Sequence, residues 1–280
     1  NANEAIKYFK MAADKGCIKA MINYAWLLSE CDEITQNLKD AANYYKMAAD
    51  KGNIDSMYKY ALMLYEGSWI PVDKKESAKY YKMAADKGHV NAMHSLAMML
   101  KEGDGIECND IEACRYFKLA ADKGNENSMY NYAIYKENHE TISNDVNEAA
   151  KYYKMAADKG HSESMYRYAY LKEYEKRVGI DLKESIKYYK KSADNGNVDG
   201  MIDYSRLLIS DDTPSNREEC ARYYKMDAYE GNLHAIYGYA MMLIQGIGVE
   251  VDKTLGARYL KLSACYENVE AMFLYGKMLF

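Results

Sequence analysis

Apolar residues recur along this chain in two alternating registers. In Met57, Tyr60, Ala61 and Leu64 they fall at i, i+3, i+4 and i+7, which gathers them on one face of a helix. The stretch Tyr80-Tyr81-Lys82-Met83-Ala84-Ala85-Asp86-Lys87-Gly88 then follows, and it returns with small changes eight times. Its closing position falls at Gly16, Gly52, Gly88, Gly124, Gly160, Gly196 and Gly231, then at Glu267, so the spacing is 36 residues at every step but one, which is 35. Periods of this size mark helical repeat arrays.

Start and stop signals divide each period. An Asn or Asp stands fifteen residues ahead of every closing position (Asn1, Asn37, Asp73, Asn109, Asp145, Asp181, Asn216, Asp252) and is predicted to cap the Tyr-Tyr helix. In seven of the eight an acid follows three residues later, the spacing of a capping box beside the positive end of the helix dipole; Leu255 alone departs. The closing glycine can take the left-handed conformation that ends a helix. Two helices of about 12 residues and two short connections fill the period and leave no room for a strand. The expected fold is an all-α solenoid of about eight 36-residue helix-turn-helix repeats, a single array over residues 1–280. Within each repeat the first helix follows the glycine and the Tyr-Tyr helix is the second. The chain opens on a bare second helix and stops on a first helix at Met278-Leu279-Phe280, so it is expected to be a segment of a longer repeat protein, or to self-associate end to end through the apolar surface left there.

These features resemble the Sel1-like (Sel-one-like) repeat family, relatives of the tetratricopeptide repeats. The resemblance rests on the alanine column (Ala13, Ala49, Ala85, Ala121, Ala157, Ala193, Ala228, Ala264), the tyrosine column, the closing glycine, and the loops Gly103-Asp104-Gly105-Ile106 and Gly246-Ile247-Gly248-Val249. It implies a right-handed superhelix that acts as a scaffold or adaptor, with a concave groove lined by the first helices. Some cysteine-rich members bind or slowly hydrolyse β-lactams; a weak hydrolase of that kind is the alternative reading. Their paired cysteines are absent here: Cys17, Cys31, Cys108, Cys114, Cys220 and Cys265 occupy six different repeat columns, where a disulfide framework should recur.

Composition narrows the partner. With 42 acidic against 37 basic residues the net charge is -5, which repels a phosphate backbone unless the basic groups segregate. Lys46, Lys82 and their equivalents do form a ridge, but Asp50, Asp86 and their equivalents follow four residues later, neighbours on a helix, so the ridge is expected to neutralise itself and nucleic acid is excluded as a partner. No run of 18 apolar residues exists, and membrane insertion is not expected. The lack of a signal-peptide layout, of Asn-x-Ser/Thr acceptors and of paired cysteines leans towards a cytoplasmic setting. His89 and His161 sit where most repeats have Asn and suit helix entry; His94, His139 and His234 have no partner at a metal-ligand spacing, and no nucleophile elbow or phosphate loop occurs. No catalytic residue, metal or cofactor is expected.

Thirty tyrosines could suggest a stacking surface, but fifteen of them fall in two columns facing small residues, where packing accounts for them. The face opposite the core of the first helix is different. Ten residues past the glycine stand Trp26, Leu62, Met98, Ile134 and Tyr170, apolar where water is expected. At about 10 Å between neighbouring helices they would make a stripe about 40 Å long. Beside them Asn23, Asn131 and Arg167 offer donors and acceptors to a peptide backbone. This face is the predicted site for a peptide or protein partner.

Overall fold

The computed structural model describes residues 2–30, 38–67, 70–138, 145–210 and 213–280. Sixteen α-helices and one 3-10 turn make up the regular structure among them, and no strand occurs there. The chain divides into two compact units, Asn1–Asp145 and Val146–Phe280. In the first, the second helices are α1 (Ala2–Asp14), α3 (Leu38–Asp50), α5 (Lys74–Asp86) and α7 (Asp110–Asp122), alternating with the first helices α2 (Ile18–Glu30), α4 (Ile54–Glu66), α6 (Val90–Glu102) and α8 (Glu126–Asn138). In the second unit the second helices are α9 (Val146–Asp158), α11 (Leu182–Asp194), α13 (Pro214–Tyr229) and α15 (Lys253–Cys265). The first helices there are α10 (Ser162–Tyr174), α12 (Val198–Ser210), α14 (Leu233–Gln245) and α16 (Val269–Leu279). Within each unit every helix packs on the one before and the one after.

Four of the predicted caps form, at Asp73, Asn109, Asp181 and Asp252, while Asn1 and Asn37 lie outside the described residues. Asp73, Asn109 and Asp181 accept from the backbone N–H three residues on, at 2.9, 3.0 and 3.0 Å. Asp252 does the same with Leu255 at 2.8 Å, because the donor is main chain and the missing acid costs only its charge. One predicted cap is displaced: α13 starts at Pro214, and Thr213 rather than Asn216 caps it by accepting from the Asn216 N–H at 3.2 Å. Proline at the first helical position has its φ preset and no N–H to satisfy, which draws the helix start back. Each closing glycine has positive φ, 96° at Gly88 for instance, and Glu267 adopts 65° in the same column.

His89 and His161 serve as caps, each Nδ1 accepting a backbone N–H at 3.1 Å. Burial holds the His89 pKa below its usual value, although Asp55 nearby pulls it upward. A depressed histidine contributes stability that is fully present above the unfolded value of about 6.5 and is lost as pH falls through the folded pKa, since protonation of Nδ1 abolishes the acceptor. His89→Asn, which keeps an acceptor, should therefore reduce the loss of urea resistance between about pH 7 and pH 5. An unchanged pH profile would show that His89 does not titrate with unfolding.

Alanines at the contact points let the helices close, and tyrosines fill the space between them. Tyr60 meets Tyr80 edge-on at 4.9 Å between ring centroids, and Tyr168 meets Tyr188 at 4.8 Å. The Tyr80 hydroxyl reaches back to Asp50 at 2.7 Å, Tyr116 to Asp86 at 3.0 Å and Tyr188 to Asp158 at 2.7 Å. A buried aromatic body thus ends in a hydrogen bond to the preceding second helix. Burial, and then the facing carboxylate, push Tyr80 and Tyr116 up to about 12. Tyr8 is exposed, and Tyr44, Tyr259 and Tyr275 are only partly buried, so the columns are covered unevenly.

Candidate interaction faces

The first helices turn their apolar stripe onto the second helices and leave the other side open. On α10, Ser164, Met165, Tyr168, Ala169 and Leu171 are buried, and positions 163, 166, 167, 170 and 174 lie on the opposite side. Asparagines set the start of these helices: Asn53, Asn125, Asn197 and Asn268 accept from a backbone N–H at 2.8, 2.8, 2.7 and 2.8 Å.

The predicted site residues divide between the units. In the first, Trp26 on α2 is 50 % exposed, whereas Leu62 on α4, Met98 on α6 and Ile134 on α8 are half-buried. In the second, Tyr170 on α10 is 43 % exposed. The orienting groups are partly engaged. Asn131 donates Nδ2 to the Asn127 carbonyl at 2.9 Å and Arg167 donates Nε to Glu163 at 3.4 Å, while Asn23 is exposed.

Around Tyr170 the second unit holds more than the apolar column suggested. Tyr166 and Tyr174 flank it, with ring centroids 6.4 and 4.8 Å away. Arg206 of α12 donates Nη2 to both Glu173 oxygens at 2.9 Å and Nε to Asp203 at 3.0 Å. The repetition of tyrosine at every fourth residue of α10 was the available signal, and it is confined to one repeat.

The outer ridge is neutralised, though largely by other partners than expected. Lys46 meets Asp50 four residues on at 2.8 Å. Lys82 and Lys154 instead reach first-turn acids of the next second helix, Glu112 at 3.7 Å and Glu184 at 2.6 Å, and Lys190 reaches Glu219. The aspartates are taken up by tyrosine hydroxyls. An apolar column five residues before the glycine lies in the same ridge and was overlooked: Met11, Met47 and Leu119 are exposed in the first unit, and Met155, Met226 and Leu262 in the second. A cleft of about 710 Å³ opens beside Met83, with Lys79, Lys82, Leu96, Leu100 and Ile106 in its walls.

Side chains capable of catalysis are few. A His94 ring nitrogen lies 2.8 Å from Ser128 Oγ, a pairing between repeats that spacing did not reveal. Ser128 is fully buried, out of reach of a substrate, and burial lowers the His94 pKa. Cys17, Cys108, Cys220 and Cys265 are free thiols. Cys31 and His139 lie outside the described residues. Among the described residues no cluster of His, Cys, Asp or Glu could hold a metal, and no helix is long and apolar enough to cross a membrane.

The stacked helix pairs and their open faces define an all-α repeat solenoid. The chain belongs to the Sel1 repeat family, whose profile matches residues 1–17, 18–53, 54–89, 90–125, 127–161, 162–197 and 233–265. A scaffold or protein-binding role is typical of that family. Similar solved structures include two with high TM-scores. A protective antigen of uropathogenic Escherichia coli displaying an SLR fold has a TM-score of 0.85 at 22% identity, over 99% of this chain and 60% of that one. A Sel1 repeat protein from Oxalobacter formigenes has a TM-score of 0.79 at 20% identity, over 99% of this chain and 80% of that one. Identity this low shows a shared fold alone. This chain spans less than two thirds of the first of these structures. No curated protein sequence matches the chain.

Proposed function

We propose that this protein is a non-enzymatic scaffold that binds a peptide or protein segment on the open face of its first helices. The observation that supports it best is Trp26, half exposed at a position whose neighbours on the helix, Tyr24, Ala25 and Leu28, are buried. A large apolar side chain kept in water at a repeated column supports the reading of this face as one that takes a partner. Trp26, Leu62, Met98 and Ile134 supply anchors in the first unit, with Asn23 and Asn131 beside them; Tyr170 and Arg167 do so in the second. End-to-end self-association belongs to the same reading, and light scattering over a tenfold concentration range can test it.

Truncating a true aromatic anchor costs about 2 kcal/mol, or roughly thirtyfold in affinity. Trp26→Ala combined with Tyr170→Ala should therefore release a partner captured by the wild-type chain, and Lys82→Glu on the outer ridge should leave capture intact. The reverse pattern would sink the reading.

A further inference from the structure

In the second unit the open face of α10 and α12 joins a row of tyrosines to an excess of carboxylates. Tyr170 and Tyr174 are 43 % and 51 % exposed, and their rings lie 4.8 Å apart between centroids. Four carboxylates, Glu163, Glu173, Asp199 and Asp203, share this face with two guanidinium groups, Arg167 and Arg206. Arg206 spends its charge on Glu173 and Asp203, and Arg167 lies against Glu163. Asp199 is exposed and outside every ion pair among the described residues. At the base of the face the Tyr189 side chain is fully buried, with its hydroxyl towards Glu173. Its ring packs on Tyr166 at 5.8 Å, and Glu173 and Asp203 lie near enough for their charges to act on the hydroxyl. The face therefore combines exposed π surface with surplus negative charge.

We infer that this face takes a basic, extended segment, with Lys or Arg side chains laid on the Tyr170 and Tyr174 rings and their charges directed to Asp199 and Asp203. The inference rests on the open-face reading above and assigns the chemistry of its partner in the second unit. Cations are drawn to the faces of aromatic rings, most strongly where water is displaced. An acidic segment would meet like charge, and an apolar one would strip water from Asp199 with nothing in exchange.

Fluorescence anisotropy with the whole chain tests it, using three labelled dodecapeptides in which glycine alternates with lysine, with glutamate or with leucine. The lysine peptide should bind best, and binding should weaken as salt rises from about 0.05 to 0.3 M. Tyr170→Ala with Tyr174→Ala, and separately Asp199→Lys, should each weaken it by about tenfold or more. Both sites are exposed, so circular dichroism should show these variants folded. A lysine peptide that binds no better than the glutamate peptide, or that ignores these substitutions, overturns the inference. If the leucine peptide then binds and Trp26→Ala abolishes it, the open-face reading survives without a basic partner. If no peptide binds and Trp26→Ala leaves partner capture unchanged, both fall.

Discussion

Replacing Asp227 by alanine should stabilise the protein at neutral pH by about 2–3 kcal/mol, an unusual direction for a core substitution. Asp227 stands on α13 where other second helices carry Ala48, Ala84, Ala120 and Ala156, and it is only 2 % exposed. Its Oδ1 has no hydrogen-bond partner. Burial pushes its carboxyl up to about 6; a hydrogen bond from Asn232 pulls the other way, and Asp199 and Glu230 add to the rise. An acid whose folded pKa lies above its unfolded one destabilises the fold when ionised. Stability should therefore fall as pH rises from about 4 through about 6 and level off beyond. Asp227→Ala and the isosteric Asp227→Asn should both flatten that slope, and their advantage over wild type should vanish near pH 4. Urea midpoints across this range provide the check. Two variants that are less stable at pH 7 and keep the wild-type slope would show that Asp227 is satisfied in solution.

The same position shows what sequence could and could not reveal. The array, its caps and its closing glycines were legible because each is a local rule, written within one helix and repeated until chance is excluded. The partners of the outer ridge were not. A helical wheel pairs Lys82 with Asp86, but the neighbouring second helix brings Glu112 to Lys82 and Tyr116 to Asp86, thirty residues away in each case. Thr213 displaced Asn216 as a cap because Pro214 outweighed the column. At the candidate site the column was legible but its exposure was not. Trp26 and Tyr170 stand out into solvent, while Leu62, Met98 and Ile134 are half covered by neighbours that a single-helix argument cannot see. The tyrosine row on α10 escaped because it runs along one helix rather than across repeats.

Gly248→Ala should destabilise the second unit by about 3 kcal/mol or more, the larger part of it steric. Gly248 is the second glycine of the loop between α14 and α15 and has a φ of 67°, where an alanine is already strained by about 1–2 kcal/mol. A Cβ there would also stand 2.0 Å from the Arg217 carbonyl oxygen and 2.8 Å from the Glu218 nitrogen, both in the first turns of α13. Main chain cannot step aside as a side-chain tip can, so the loop must lift from the helix it rests on. Gly105 repeats the arrangement in the first unit, at 2.8 Å from the Lys74 carbonyl oxygen of α5, which gives the Gly-x-Gly loop its structural reason: the second glycine is the contact between a loop and the second helix of the preceding repeat. Gly231→Ala is the matched control, because its φ of 88° imposes comparable backbone strain while nothing lies within 4 Å of the added atom. Urea unfolding of the three proteins should rank wild type above Gly231→Ala and that variant well above Gly248→Ala. Equal losses for the two variants would mean that the loop yields freely and that backbone strain alone keeps glycine there.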